Sequence, residues 1–237
     1  MTSRYKLDSA ERELALALAE STAAFGAMDL RTLKVRDAIA QLRKEQDRLP
    51  EAQAMLKDLL ADMEAGGLQA DPLYHNVMGS LGNAYLLAED YPQADAVLRR
   101  AADLPVTATA PTAAVDRVSL LANLAQAAHG LGDVDRADTL YRQAQAGYEA
   151  LHPGGSPDVA IMLNNRAQLM QEAGRKAEAF DLLKQSSDMR ERAFAGDHPM
   201  RVSALTDVAR QALRMQEFDY ALAQSAISSI LGASGGF

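Results

Sequence analysis

Cysteine and tryptophan are absent from the 237 residues, aromatic residues make up only 5%, and there are four histidines. Without cysteine there is no disulfide, no thiolate metal site and no cysteine nucleophile. A metal centre needs three or four convergent ligands, and none of His75, His129, His152 and His198 stands three or four residues from another. The 24 basic residues against 32 acidic give a net charge of −8, the wrong sign for a chain whose main work is neutralising phosphates, although a local basic patch is compatible with it. No apolar run approaches the ~18 residues that span a bilayer. Leu14 to Ala19 is apolar, but Asp8, Glu11, Glu13 and Glu20 surround it, which reads as an amphipathic helix and not a signal peptide. Gly66-Gly67 and Gly235-Gly236 lack the following Lys-Ser or Lys-Thr of a phosphate loop, and no Gly-x-Ser-x-Gly nucleophile motif occurs. Asp133 and Asp135 are helix-start material. The expectation is a cytoplasmic protein that is not an enzyme, with no cofactor, no metal, no nucleic-acid partner and no membrane contact.

What the chain does have is alanine, about a fifth of its residues, a bias toward helix. These alanines are in register. Ala10, Ala52, Ala94, Ala137, Ala179 and Ala221 follow one another at spacings of 42, 42, 43, 42 and 42 residues. A second column of small residues stands twelve earlier in each full copy: Ala40, Gly82, Ala125, Ala167 and Ala209. A third, four after the first, reads Leu14, Leu56, Leu98, Tyr141 and Leu183, with Ser225 breaking the pattern. Self-similarity at a fixed period of this length marks a repeat architecture.

Each unit reads as two helices. Val159 to Ala173 carries apolar or small residues at helical spacing, Gly174 supplies a turn, and Lys176 to Arg192 resumes the pattern. Gly132 turns the third copy in the same way. Asp47, Glu89 and Gln216 occupy the equivalent places elsewhere, so those turns lack their glycine. The small columns allow two antiparallel helices to approach to about 8 Å at their crossing. Gly66-Gly67 to Pro72, Pro105 to Pro111, His152 to Pro157 and Gly196 to Pro199 punctuate the copies. The one 43-residue spacing puts its extra residue in the Pro105–Pro111 loop, where it costs little.

A helix–turn–helix unit with small residues in these columns resembles the tetratricopeptide repeat. The 42-residue period, with Leu163-Asn164-Asn165-Arg166-Ala167, Gly174-Arg175-Lys176-Ala177-Glu178-Ala179 and Gly196-Asp197-His198-Pro199, resembles the long variety found in kinesin light chains. Leu121-Ala122-Asn123-Leu124-Ala125 and Ser156-Pro157-Asp158-Val159-Ala160 repeat the signature. The resemblance is strongest from about residue 72 to 230 and implies an all-α fold, a right-handed α-solenoid of antiparallel helix pairs. The chain is expected to be a single domain over 1–237, with a half repeat at 1–30 and full repeats at about 31–72, 73–115, 116–157, 158–199 and 200–231.

The resemblance also implies a concave groove lined by the first helix of each repeat, which takes an extended peptide or a helix of a protein partner. Groove positions then fall about 6, 3 and 2 residues before, and 1 and 4 after, the Ala40 column. In the second copy this gives Asn76 and Asn83, and in the third Ser119, Asn123, Gln126 and His129. The fourth gives Ile161, Asn164, Asn165, Gln168 and Gln171; the fifth gives Ser203, Asp207 and Arg210. Asparagine is mildly unfavourable inside a helix, so amides gathered on one face suggest recognition, since an amide offers both donor and acceptor to a peptide backbone. The alternative is a solvated polar surface. Asn83 and Asn123 match places in the family's carboxylate clamp, but its basic partners do not recur, the fourth copy having Ile161 and Asn165. A neutral or mixed-charge segment is expected, with Lys34 and Lys44 suited to an acidic stretch at one end.

Two other roles are compatible with the sequence: a regulator whose groove ligand controls partner binding, and a structural subunit acting through its ends. Leu16, Leu18, Phe25, Met28 and Leu30 are expected to pack mainly on the first full repeat, while Ile227, Ile230 and Leu231 run into Gly-Ala-Ser-Gly-Gly-Phe with no capping helix. Solenoids need polar terminal caps, so the purified chain is expected to form a homo-oligomer or to join a larger assembly. Light scattering at tens of micromolar checks this, and a monodisperse monomer would refute it.

Overall fold

The computed structural model describes residues 2–104, 113–153 and 155–193. These residues form helices joined by turns, with no strand among them. The chain folds as two compact units, Met1–Leu131 and Gly132–Phe237. The first contains α1 (Thr2–Phe25), α2 (Leu30–Glu45), α3 (Leu49–Ala65), α4 (Pro72–Leu87), α5 (Tyr91–Asp103) and α6 (Ala113–Gly130). The second contains α7 (Val134–Leu151), α8 (Pro157–Glu172) and α9 (Lys176–Ala193). The Pro105–Pro111 loop, Gly196–Pro199, the whole fifth copy and the apolar residues near position 230 lie outside the described residues.

Helix starts follow the capping chemistry of the sequence. Asp29, Asp71, Asp90, Asp133 and Ser156 each accept a backbone N–H from the first turn of the helix they precede, at 2.8–3.3 Å. Such side chains satisfy donors that a helix cannot satisfy itself. At α2 the Arg31 guanidinium and backbone N–H, both bonded to Asp29, hold that carboxyl down at about 2.

In the first unit every helix packs on the next, and α2, α4 and α6 also touch as a layer of their own. In the second unit α8 packs on both α7 and α9. The small columns lie at these contacts. Ala40 and Ala52 are buried in the α2–α3 pair, Ala94 in α5, and Ala167 and Ala179 in the α8–α9 pair. Gly82 shows why one copy departs from alanine: a Cβ there would overlap the buried Leu98 side chain. Leu56, Leu98, Tyr141 and Leu183, the third column, are all buried. A second close approach was not visible in the periodicity, since a Cβ at Gly130 would run into the Tyr91 ring.

Polar ties join α3, α4 and α5. Tyr74, with no exposed surface, donates its hydroxyl to Glu64 (2.6 Å), and Arg100 donates to that hydroxyl (2.6 Å) and to Glu64 (2.8 Å). Burial, then the neighbouring carboxylate, pushes the Tyr74 phenol up to about 12.

The first helix departs from expectation. Leu16, Phe25 and Met28 are 60%, 47% and 42% exposed, with Met28 reaching only Gly66 at the end of α3, whereas Leu18 and Leu30 are half-buried. Leu14 and Leu18 stand on the stripe of α1 that meets α2, and a residue midway between them points away. Phe25 is covered on one face by the Arg31 guanidinium, 3.4 Å from the ring centroid.

Among the described residues, the turns inside the repeats use one backbone conformation whatever the residue. Gly132 and Gly174 have φ of 76° and 75°, and Asp47 and Glu89, their equivalents, adopt 60° and 57°. A side chain in this left-handed region costs roughly 1–2 kcal/mol. Glu89→Gly is therefore expected to raise stability by about 1 kcal/mol, and Asp47→Gly by less because aspartate tolerates the region better. Gly174→Ala should lower it by a similar amount. Denaturant midpoints check this, and a lower midpoint for Glu89→Gly would contradict it.

Candidate functional site

The layer formed by α2, α4 and α6 in the first unit carries an open hollow of about 250 Å³. Three predicted groove amides line it: Asn76 and Asn83, on one face of α4, and Asn123 from α6. Lys44 enters from α2, and Asp116 and Ser119 from α6. Gly79 and Ser80 form the part of α4 between the two asparagines. They occupy two further offsets of the same groove pattern, 3 and 2 residues before Gly82, but neither carries an amide, so residue type concealed them.

Hydrogen bonds between α2 and α4 fix much of this arrangement. Lys44 Nζ donates to Asn83 Oδ1 (2.9 Å), which uses the amide as an acceptor and leaves its N–H donors. Gln41 Nε2 donates to Ser80 Oγ (2.5 Å) and to Asp37 Oδ1 (3.3 Å). Burial pushes the Asp37 carboxyl above its ordinary range and the Lys44 ammonium below its own, with the charge of each partly opposing the other's shift. The hollow thus has a cation already oriented beside an amide on its α2 side and a carboxylate on its α6 side.

His75, at the start of α4, also lines the hollow, and its Nδ1 is buried without a hydrogen-bond partner. The spacing of the histidines gave no sign of this. Gln126 lies exposed on α6 outside the hollow. Among the described residues no group of three or more acidic or histidine side chains is placed to hold a metal ion, and no helix is long and apolar enough to cross a membrane.

The second unit presents its own set on α8. Asn164 and Asn165 are half-buried, and Ile161 and Gln168 are exposed, with Gln168 donating to Glu172 (2.9 Å). Asp207 and Arg210 lie outside the described residues. Arg166, inside the Leu163–Ala167 motif, has a structural role instead. It is 9% exposed, and donates to Asp138 on α7 (2.9 Å) and to Gln145 (3.0 Å). Removing one partner of a buried pair leaves the other charge uncompensated, which costs about 3–5 kcal/mol. Because Asp138 also holds Arg142, Arg166→Ala is expected at the low end, about 3 kcal/mol, and Arg166→Met to lose less through retained packing. Equal unfolding midpoints for Arg166→Ala and the wild type would refute the role.

The family description "Tetratricopeptide repeat" matches residues 116–192. No curated protein matches the chain. Among solved structures, BtubC (BKLC) from P. vanneervenii is similar with a TM-score of 0.74 at 16% identity, over 98% of this chain and 93% of that one. Nearly identical kinesin-light-chain TPR-like repeats from Podosopora anserina give 0.69 at 18%, over 85% and 94%. PilF from Pseudomonas aeruginosa gives 0.54 at 16%, over 98% and 95%. At such identities the likeness is one of fold. Residues 116–192 match the tetratricopeptide repeat, and the fold of the described residues is an all-α helical-repeat solenoid like that of the kinesin-light-chain-like tetratricopeptide structures.

Proposed function

We propose that the chain is a protein–protein interaction scaffold, and that it holds a peptide or helical segment of a partner against the first helices of its repeats. The observation that carries this reading is the convergence of Asn76, Asn83 and Asn123, from two helices, on one open hollow with Lys44 already oriented beside Asn83. Amides in such a place offer donors and acceptors to a main chain without demanding particular side chains. A solvated surface needs no such convergence. In the second unit, Asn164 and Asn165 with exposed Ile161 and Gln168 supply a further polar row carrying one apolar contact.

Each backbone-pairing amide contributes about 1 kcal/mol net, so losing two weakens binding by roughly 10- to 100-fold. The test is capture of partners from native lysate by the wild type, by Asn83→Ala/Asn123→Ala and by Asn164→Ala/Asn165→Ala, with helicity followed by circular dichroism. Partners lost from a variant of unchanged helicity are the expected result. Equal capture by all three proteins would overturn the reading and move the working surface off these helices.

A further inference from the structure

Two glycines lie inside α4, where each costs about 1 kcal/mol relative to alanine. Gly82 is required by the chain's own packing, because Leu98 occupies the space a Cβ would need. Gly79 is not: a Cβ there would meet no atom within 4 Å, and its φ lies outside the left-handed region. Neither internal packing nor backbone conformation accounts for it. It lies in the hollow, three residues after Asn76 and four before Asn83, on the face of the helix those two share.

The chemistry around Gly79 is consistent with close approach of a second backbone. Glycine is the residue that lets main chain come nearest to main chain or ligand. The amides in the hollow are asparagines, whose short side chains reach only an occupant lying low on the helix; the longer Gln126 stands outside. The buried Nδ1 of His75, without a partner, marks unfilled hydrogen-bonding capacity at the same place. The two charges are separated by the width of the layer, Lys44 on α2 and Asp116 on α6.

We propose that Gly79 is a ligand-contact position: an extended peptide crosses α4 with its backbone against Gly79, an acidic side chain toward Lys44 and a basic side chain toward Asp116. The proposal rests on the reading of this hollow as a peptide site and adds to it the path, the depth and the charge order of the occupant.

The probe is a displayed library of short random peptides selected on the wild-type chain. The selected peptides should carry an acid and a base in a fixed order. Against them, Gly79→Ala is expected to raise the unfolding midpoint, since alanine is the better helix former, and to weaken binding about tenfold, since a methyl group intrudes on the contact. Gly79→Leu should abolish binding with helicity intact, and the exchange Lys44→Glu/Asp116→Lys should reverse the preferred charge order. Peptides that bind Gly79→Leu as tightly as the wild type but are lost by Asn83→Ala/Asn123→Ala overturn this proposal and leave the scaffold reading standing. Peptides retained by both variants overturn the two together, and unchanged charge order in the exchanged variant overturns the assigned orientation.

Discussion

Everything in this chain depends on helices being allowed to come close. Ala40 and Ala52, Gly82 and Ala94, and Ala167 and Ala179 remove side-chain bulk where paired helices meet, and each is buried. Such a contact is short in sequence but fixes the angle and depth at which a pair packs. Larger third-column residues, Leu56, Leu98, Tyr141 and Leu183, then fill the space left beside it. The layer of α2, α4 and α6 follows from this packing, because pairs assembled in one way leave their first helices side by side. Among the described residues, the hollow is lined from that layer alone.

The turns are subordinate to this constraint. Asp47 and Glu89 adopt the same left-handed backbone as Gly132 and Gly174, though L side chains resist it. The strain is tolerated because buried columns on either side demand the same reversal, and their burial outweighs it. This is why glycine at the turn was a weak signal of the repeat, present in two copies and missing in others, while the small columns were a strong one. A residue that packing requires recurs at every copy. A residue that only eases a local conformation need not.

The same distinction separates what the sequence disclosed from what it hid. Helix pairs, the helix start at Asp133 and the placement of Asn76, Asn83 and Asn123 on one face were legible because each obeys a period or a local rule. Arg166 was not: its role depends on Asp138 and Gln145, 28 and 21 residues away on another helix, a pairing with no periodic trace. Nor were the exposed Leu16 and Phe25, because apolar composition near a helix does not say which side faces a neighbour. The Leu131/Gly132 boundary between the two compact units is also silent in the period, which runs through it at twelve residues from Ala125 to Ala137.

Gly79 illustrates how an apparently uninformative residue acquires meaning. In the sequence it is a mild helix breaker outside the repeat columns, three residues before the column glycine Gly82. The structure divides them by what a methyl group would meet, a leucine in one case and nothing in the other. A costly residue with no structural cause, at the floor of a hollow edged by short amides and opposed charges, is the pattern expected where recognition has shaped a helix that packing alone would have built with alanine. Stability and binding then pull α4 in opposite directions at one position, and that opposition sets Gly79 apart from every small residue in the repeat columns.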